Sequence, residues 1–439
     1  MKSDRVVQFV IQTAWRNLPS EAQHQARRCL LDTLGALIAG TQAPVAAMMA
    51  DLAASQYGGA QATILVSGRN VSAVGAAMAN GFAANALDLD DGHRLVKGHP
   101  GSCLLPALLA AAEQGEAIRG ADFLTAFIVG YEVAIRAGLI RHALYTPMHS
   151  SGSWGAIGAA AASGKLMGLD SIRLKQALGI AEHHAPVTPV MKAVDTPCMA
   201  KDGVGWGAMV GMASALMAER GFTGIEPLFS ESPEAGWIDN LGEQFEVMRL
   251  YFKPYACCRW TQPAIVGALA LKREYGLQAD DIAAIRVRTF AEAARLSRKH
   301  PADTDEAQYN LAYPIAAALV DGELGPRQVL PPRIYDPAIL ALADRVEAET
   351  VDHYVRAFPQ KTYADVEVRL RDGRLLSAPG QQPIWEWPDS LPSDTDLERK
   401  FQALVSPILG DGSAELVDTI WRFDQVADAR KLIRMCLAP

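Results

Sequence analysis

The sequence has no run of lysine and arginine interleaved with aromatic residues, and its 41 basic residues are outnumbered by 49 acidic ones, for a net charge of −8. That balance lacks the electrostatic footprint of a nucleic-acid binder, so an RNA or DNA partner is not expected. No continuous apolar core follows Met1-Lys2-Ser3-Asp4-Arg5, because Gln8 and Gln12 break the stretch, and no export signal is expected. The most apolar windows are interrupted too, as by Glu132 and Arg136 between Phe123 and Ile140, which argues against a membrane span. Cysteine is sparse: Cys29, Cys103, Cys198, Cys257, Cys258 and Cys436 form no regular framework, and the adjacent Cys257-Cys258 fits neither a zinc nor a thioredoxin-like spacing. Reduced thiols in a cytoplasmic protein are the expectation. Nucleotide motifs are missing as well. The glycines of Lys201-Asp202-Gly203-Val204-Gly205-Trp206-Gly207 follow no strand and lack the full dinucleotide spacing, and Gly164-Lys165 lacks the rest of a P-loop.

What is present is apolar residue in abundance: half of 439 residues, enough for a buried core shared among two or three domains. From about residue 5 to 270 apolar positions recur three and four apart between Gly and Pro punctuation, the helical period. Val74–Ala86, Ser153–Leu166 and Gly207–Ala218 are crowded with Gly, Ala and Ser, whose size lets helix axes approach closely, so they read as central helices. Later the pattern changes. Ile282 to Phe290 reads as a strand, and Tyr363 to Ser377 alternates around Asp372-Gly373, a dipeptide that favours a type I′ hairpin turn. Tyr309–Val320 and Pro337–Arg345 look helical, and the helical period returns from Asp396. The expected fold is therefore mainly α: a large all-helical domain from 1–268 and 395–439, with a smaller α/β unit from 269–394.

Four clusters could carry chemistry. Asp88-Leu89-Asp90-Asp91-Gly92-His93 to His99-Pro100 places carboxylates and imidazoles between two apolar helices, where unpaired charge is expensive. It reads as a capped, solvated loop, as a metal site from Asp90 or Asp91 with His93 and His99, or as acid–base machinery. His149 stands just before a small-residue helix, whose free N–H groups favour a neutral imidazole and a bound carboxylate, or it merely caps that helix. Lys201 occupies a similar helix entry. Lys253 and Arg259, in Lys253-Pro254-Tyr255-Ala256-Cys257-Cys258-Arg259-Trp260, could hold substrate carboxylates where the two domains meet, or be plain surface cations. His183-His184 are helix neighbours pointing in different directions and cannot act as a simple pair.

In order, Leu31-Asp32-Thr33-Leu34-Gly35, the Asp88-x-Asp90-Asp91 to His99-Pro100 loop, His149 to Gly158, Lys201 with Gly221-Phe222-Thr223-Gly224, Lys253-Pro254-Tyr255 and Tyr309 to Leu319 resemble the MmgE/PrpD family. The resemblance implies a helical domain with an α/β lid, a homodimer, a cleft between the domains, and chemistry without a metal or organic cofactor. It implies a lyase or isomerase that moves a proton beside a carboxylate of a small di- or tricarboxylic acid, with a 2-methylcitrate dehydratase-like hydro-lyase placed first. An iminodisuccinate-like epimerase and a cis-aconitate-type decarboxylase are the alternatives, and a non-catalytic carboxylate binder is the competing class. By the same resemblance Asp88, His99, His149, Lys201, Lys253 and Tyr313 line the cleft; the expected catalytic positions are Asp88, His99, His149, Lys201 and Tyr313, and Asp91, Lys253 and Arg259 are expected to bind substrate. In this scheme His99 or His149 moves the proton, Asp88 tunes an imidazole, the lysines neutralise carboxylates and Tyr313 donates to a leaving or enolate oxygen. The chain departs from relatives at Val204, where several have His, at Gly92, where a hydroxyl residue is common, and between His183 and Cys198.

Overall fold

A computed structural model describes residues 2–234, 236–296 and 299–438. The three segments rich in small residues are helices at the centre of the larger unit. These are α2 (Ala73–Asn85), α5 (Gly152–Leu166) and α7 (Val204–Glu219), joined there by α1 (Ser20–Gly40), α3 (Pro100–Ala112), α4 (Gly120–Leu144) and α6 (Ser171–His184). Helix α5 packs against α3, α4, α6 and α7, and α7 also packs on α2. Two glycines show why size matters. A β-carbon on Gly158 would lie 2.6 Å from the Gly130 carbonyl oxygen, and one on Gly211 would lie 2.8 Å from that of Ala156, so any side chain would push α5 off α4 or α7.

Helix α4 corrects one expectation. By length and composition it is apolar enough to cross a membrane, despite Glu132 and Arg136. Its apolar stretch is buried inside the protein instead, and that pair is buried with it. Arg136 Nη2 lies 3.1 Å from Glu132 Oε2 and donates to the Gln244 carbonyl at 2.8 Å, while Glu132 Oε1 accepts from the Val247 N–H at 3.0 Å. Each buried charge thus has partners, as burial demands.

The second unit holds a four-stranded sheet in the order β2-β1-β3-β4, from β1 (Ile282–Thr289), β2 (Val346–Thr350), β3 (Ala364–Leu370) and β4 (Leu375–Gln381). Strand β2 runs parallel to β1 and the other pairs are antiparallel, with Ile285 opposite Val346 and Val287 opposite Val366. The expected hairpin is present, but its turn is not type I′. Only Gly373 in it has positive φ (94°), the Gly373 N–H donates to the Leu370 carbonyl at 3.1 Å, and the Leu370 N–H donates to Arg374. That is a three-residue loop with glycine in the left-handed position. Helix α8 (Gln262–Tyr275) packs on β3, β4 and α9 (Ala312–Asp321). It thus packs with the sheet of the smaller unit. Beyond it, α10 (Asp394–Leu409) starts at a capping box between Ser393 and Asp396 and lays Leu397, Phe401, Leu404 and Val405 into the core beside α1.

Candidate functional site

The loop after α2 builds the centre. Asp88 takes a left-handed conformation (φ 53°), which short polar residues tolerate best, and the loop then pairs Gly92 and His93 with Tyr251 and Leu250. This pairing explains Gly92. A β-carbon there would lie 2.3 Å from the Tyr251 ring, so a side chain at this position would require that ring to move, and the Tyr251 phenol takes the space. Asp90 is pinned by the Asn85 amide at 3.0 Å and the Ser102 hydroxyl at 2.5 Å. Asp91 is sealed beneath the loop. Its Oδ1 accepts from the Gly101 N–H at 3.1 Å at the start of α3, and its Oδ2 accepts from the Tyr131 hydroxyl. Burial above all pushes its carboxyl up to about 8, so Asp91 is a neutral anchor beneath the loop, and it does not line the pocket that the loop borders.

His99 lies where these groups converge. Its Nδ1 is 2.8 Å from the Asp91 carbonyl oxygen, which can only accept, so Nδ1 carries a hydrogen and Nε2 is left for chemistry. Nε2 faces two carboxylates at 3.5 Å, Asp88 and Asp202. Their environments differ. Burial works against ionisation of Asp88, yet Lys253, with its ammonium at 2.5 Å, then His99 and Lys201, hold that carboxyl down at about 2. Lys253 is raised in return, although its own burial opposes this. Asp202 is raised by burial, against the opposing pull of His99. Two carboxylates shifted in opposite directions beside the same imidazole nitrogen form an arrangement suited to holding and passing a proton.

The pocket above this group is lined by Asp88, His99, Asp202, Lys253 and Tyr309, and by Arg94, Lys97, Tyr251, Arg259, Trp260 and Glu386. Lys97 donates to the Pro359 carbonyl at 3.0 Å, and burial brings its ammonium down to about 8. Arg259 stacks over Tyr251 with its guanidinium carbon 4.4 Å from the ring centre. A larger cavity of about 550 Å³ lies between Glu415 and Arg434, but it contains none of the buried acid–base groups, so size does not mark the site.

Of the sequence-derived candidates, Asp88, His99, Lys253 and Arg259 come together in this pocket, and His149, Lys201, Tyr313 and Asp91 do not line it. The Lys201 ammonium is spent on the Asn85 and Ala86 carbonyls (3.0 and 2.7 Å) and Gln308 Oε1 (2.5 Å), with Asp305 at 3.7 Å. It ties the end of α2 to the lid from behind. Tyr313 was expected in the cleft. Lying within α9, it turns into the lid, where its hydroxyl donates to the Gln328 carbonyl at 2.6 Å, and Tyr309 in the turn before that helix faces the pocket. His149 gives its backbone N–H to His142 Nε2 at 3.2 Å and stacks on that ring. Burial, then Arg141, lowers its imidazole. Sequence reasoning missed Asp202, Tyr309, Arg94 and Glu386. The first three lie inside stretches already singled out, whereas Glu386, in Trp385-Glu386-Trp387, carries no local signal.

Asp88, Asp90 and His99 could each offer a ligand atom to a metal ion. His93 does not join them, since its Nε2 faces Glu246 at 3.4 Å. The donor set fits an ion poorly, because the Lys253 ammonium already occupies the Asp88 oxygen and a cation would have to displace it.

Residues 4–249 match the MmgE/PrpD N-terminal domain and residues 255–423 the MmgE/PrpD C-terminal domain. Curated relatives include cis-aconitate decarboxylases of Homo sapiens (27% identical over 96% of this chain and 92% of the relative) and Mus musculus (26% identical, 94% and 89%). Another, from Aspergillus terreus, is 24% identical over 96% of this chain and 93% of the relative. With both domain models matched in order along nearly all of its length, the chain belongs to the MmgE/PrpD family.

Proposed function

We propose that the protein is a lyase acting on a small polycarboxylate by proton transfer beside a carboxylate, with His99 as the proton carrier. The observation that carries this reading is His99 Nε2 held 3.5 Å from both Asp88 and Asp202 in a pocket ringed by Lys253, Arg259 and Arg94. The curated relatives favour decarboxylation of a cis-aconitate-like acid over the hydro-lyase reaction that the sequence placed first. In that reaction the bond from the carbon skeleton to one carboxylate breaks, carbon dioxide leaves, and the electron pair is delocalised toward the neighbouring unsaturated carboxylate. The carbanion takes one proton from His99, which Asp202 restores, while Lys253 neutralises a retained carboxylate. A hydro-lyase would use the same groups to remove a proton and protonate a departing hydroxyl. Tyr309 and Tyr251 are the phenols placed to donate there. The reading includes a cytoplasmic homodimer that needs no added cofactor, testable by light scattering and cell fractionation.

Incubation with cis-aconitate, 2-methylcitrate and related hydroxy, imino and unsaturated acids in D₂O, followed by proton NMR, tests it. Loss of carbon dioxide or water, or deuterium entering beside a carboxylate, is expected for at least one acid. Thermal stabilisation without any exchange would mark a carboxylate-binding protein instead.

A further inference from the structure

Glu386 sits at the mouth of the pocket between two guanidinium groups. Arg94 Nη1 donates to its Oε1 and Arg259 Nη2 to its Oε2, both at 3.0 Å. The two arginines come from different units, Arg94 from the loop after α2 and Arg259 from the segment leading into α8. Each holds its Nε–H buried with no hydrogen-bond acceptor among the described residues, so neither fork is saturated. Two guanidinium charges against one carboxylate leave a net charge of +1, the complement of one more carboxylate. An arginine fork pairs best with a carboxylate through two parallel bonds, whereas here each gives Glu386 only one.

Glu386 is also the partition between two spaces. A second cavity of about 160 Å³ lies beside the inner pocket and shares Arg94, Thr362 and Glu386 with it. The strap carrying Glu386 is anchored through the Phe252 N–H, which donates to the Trp385 carbonyl at 2.9 Å. Trp385 has a φ of 65°, a conformation an aromatic side chain rarely adopts, held next to the residue that closes the pocket.

We propose that Glu386 is a built-in carboxylate that closes the pocket, and that Arg94 with Arg259 form the subsite for the substrate's remote carboxylate, which exchanges with Glu386 on entry. This rests on the polycarboxylate reading above. Glu386 then sets specificity: only an acid with a carboxylate beyond the one at the reacting carbon can compete for both arginines, and a monocarboxylate leaves the gate shut.

The test is calorimetric titration of wild type, Glu386→Gln and Arg94→Met with tricarballylate, a saturated tricarboxylate, and with crotonate, a monocarboxylate, each variant first checked by thermal melting. Glu386→Gln removes the competitor and keeps the shape, so tricarballylate should bind about tenfold or more tightly, with little gain for crotonate. Arg94→Met should weaken tricarballylate by about tenfold. Unchanged or weaker tricarballylate binding in Glu386→Gln would overturn the gate while leaving the polycarboxylate reading standing. Failure of wild type to bind tricarballylate, cis-aconitate or any other polycarboxylate would sink that reading itself. Should Glu386→Gln not fold, Arg94→Met decides, since undiminished tricarballylate binding in that variant would remove the subsite.

Discussion

Replacing Asp91 by Asn should flatten the pH dependence of stability. Asp91 is fully buried, and its carboxyl stands at about 8 against an ordinary 3.8, mainly through burial. A folded value above the unfolded one means that the native state binds the proton more tightly. The stability this confers is complete below pH 3.8, falls through the window up to about 8, and is constant beyond it. Over the whole window the loss is on the order of 6 kcal/mol, and between pH 6 and pH 9 roughly 2–3 kcal/mol. Asparagine is neutral throughout and nearly isosteric. Its oxygen can accept from Gly101 as Asp91 Oδ1 does, and its amide can face the Tyr131 oxygen, so the variant should fold and escape this loss. At about 2 cal/mol/K of unfolding entropy per residue, 439 residues translate each kcal/mol into roughly 1 °C. The melting temperature of the variant minus that of wild type should therefore rise by about 3 °C from pH 6 to pH 9. Other buried acids raised by burial, such as Glu132 and Asp202, are common to both proteins and cancel in the difference. Melting curves that shift in parallel across that range would show that Asp91 does not change protonation there, and the neutral-anchor account would be wrong.

Three further outcomes are expected. His99→Gln should lower kcat by roughly 10²-fold with the fold intact, while His149→Gln, outside the pocket, should cost much less; steady-state kinetics that reverse this order would return the proton-transfer role to His149. Lys201→Met, which the family resemblance would place among catalytic changes, should instead destabilise by roughly 3 kcal/mol, because it strands buried acceptors and Asp305, and a melt unchanged beside a lower kcat/KM would refute that. Turnover should survive EDTA, since the ammonium on Asp88 already meets the charge an ion would meet; activity lost on chelation and restored by Zn²⁺ or Fe²⁺ would establish a metal at Asp88, Asp90 and His99.

The sequence by itself determined the elements and their kind. Runs of Gly, Ala and Ser at helical spacing can only be close-packed helices, and the alternation from Ala364 to Leu370 can only be a half-buried strand, because these patterns are local consequences of side-chain size and period. It also located Asp88, His99, Lys253 and Arg259, whose charge or imidazole within apolar surroundings demanded partners. Only the tertiary structure decided which neighbours in sequence face the pocket. Lys201 and Asp202 are adjacent, yet one ammonium is used up on backbone carbonyls behind the site and the other side chain reaches His99. Tyr309 and Tyr313 are four residues apart, but the chain becomes helical between them, so one phenol meets the pocket and the other the interior of the lid. Glu386 was invisible for the same reason: its meaning lies in two arginines 292 and 127 residues away, brought to it by the closing of one unit on the other.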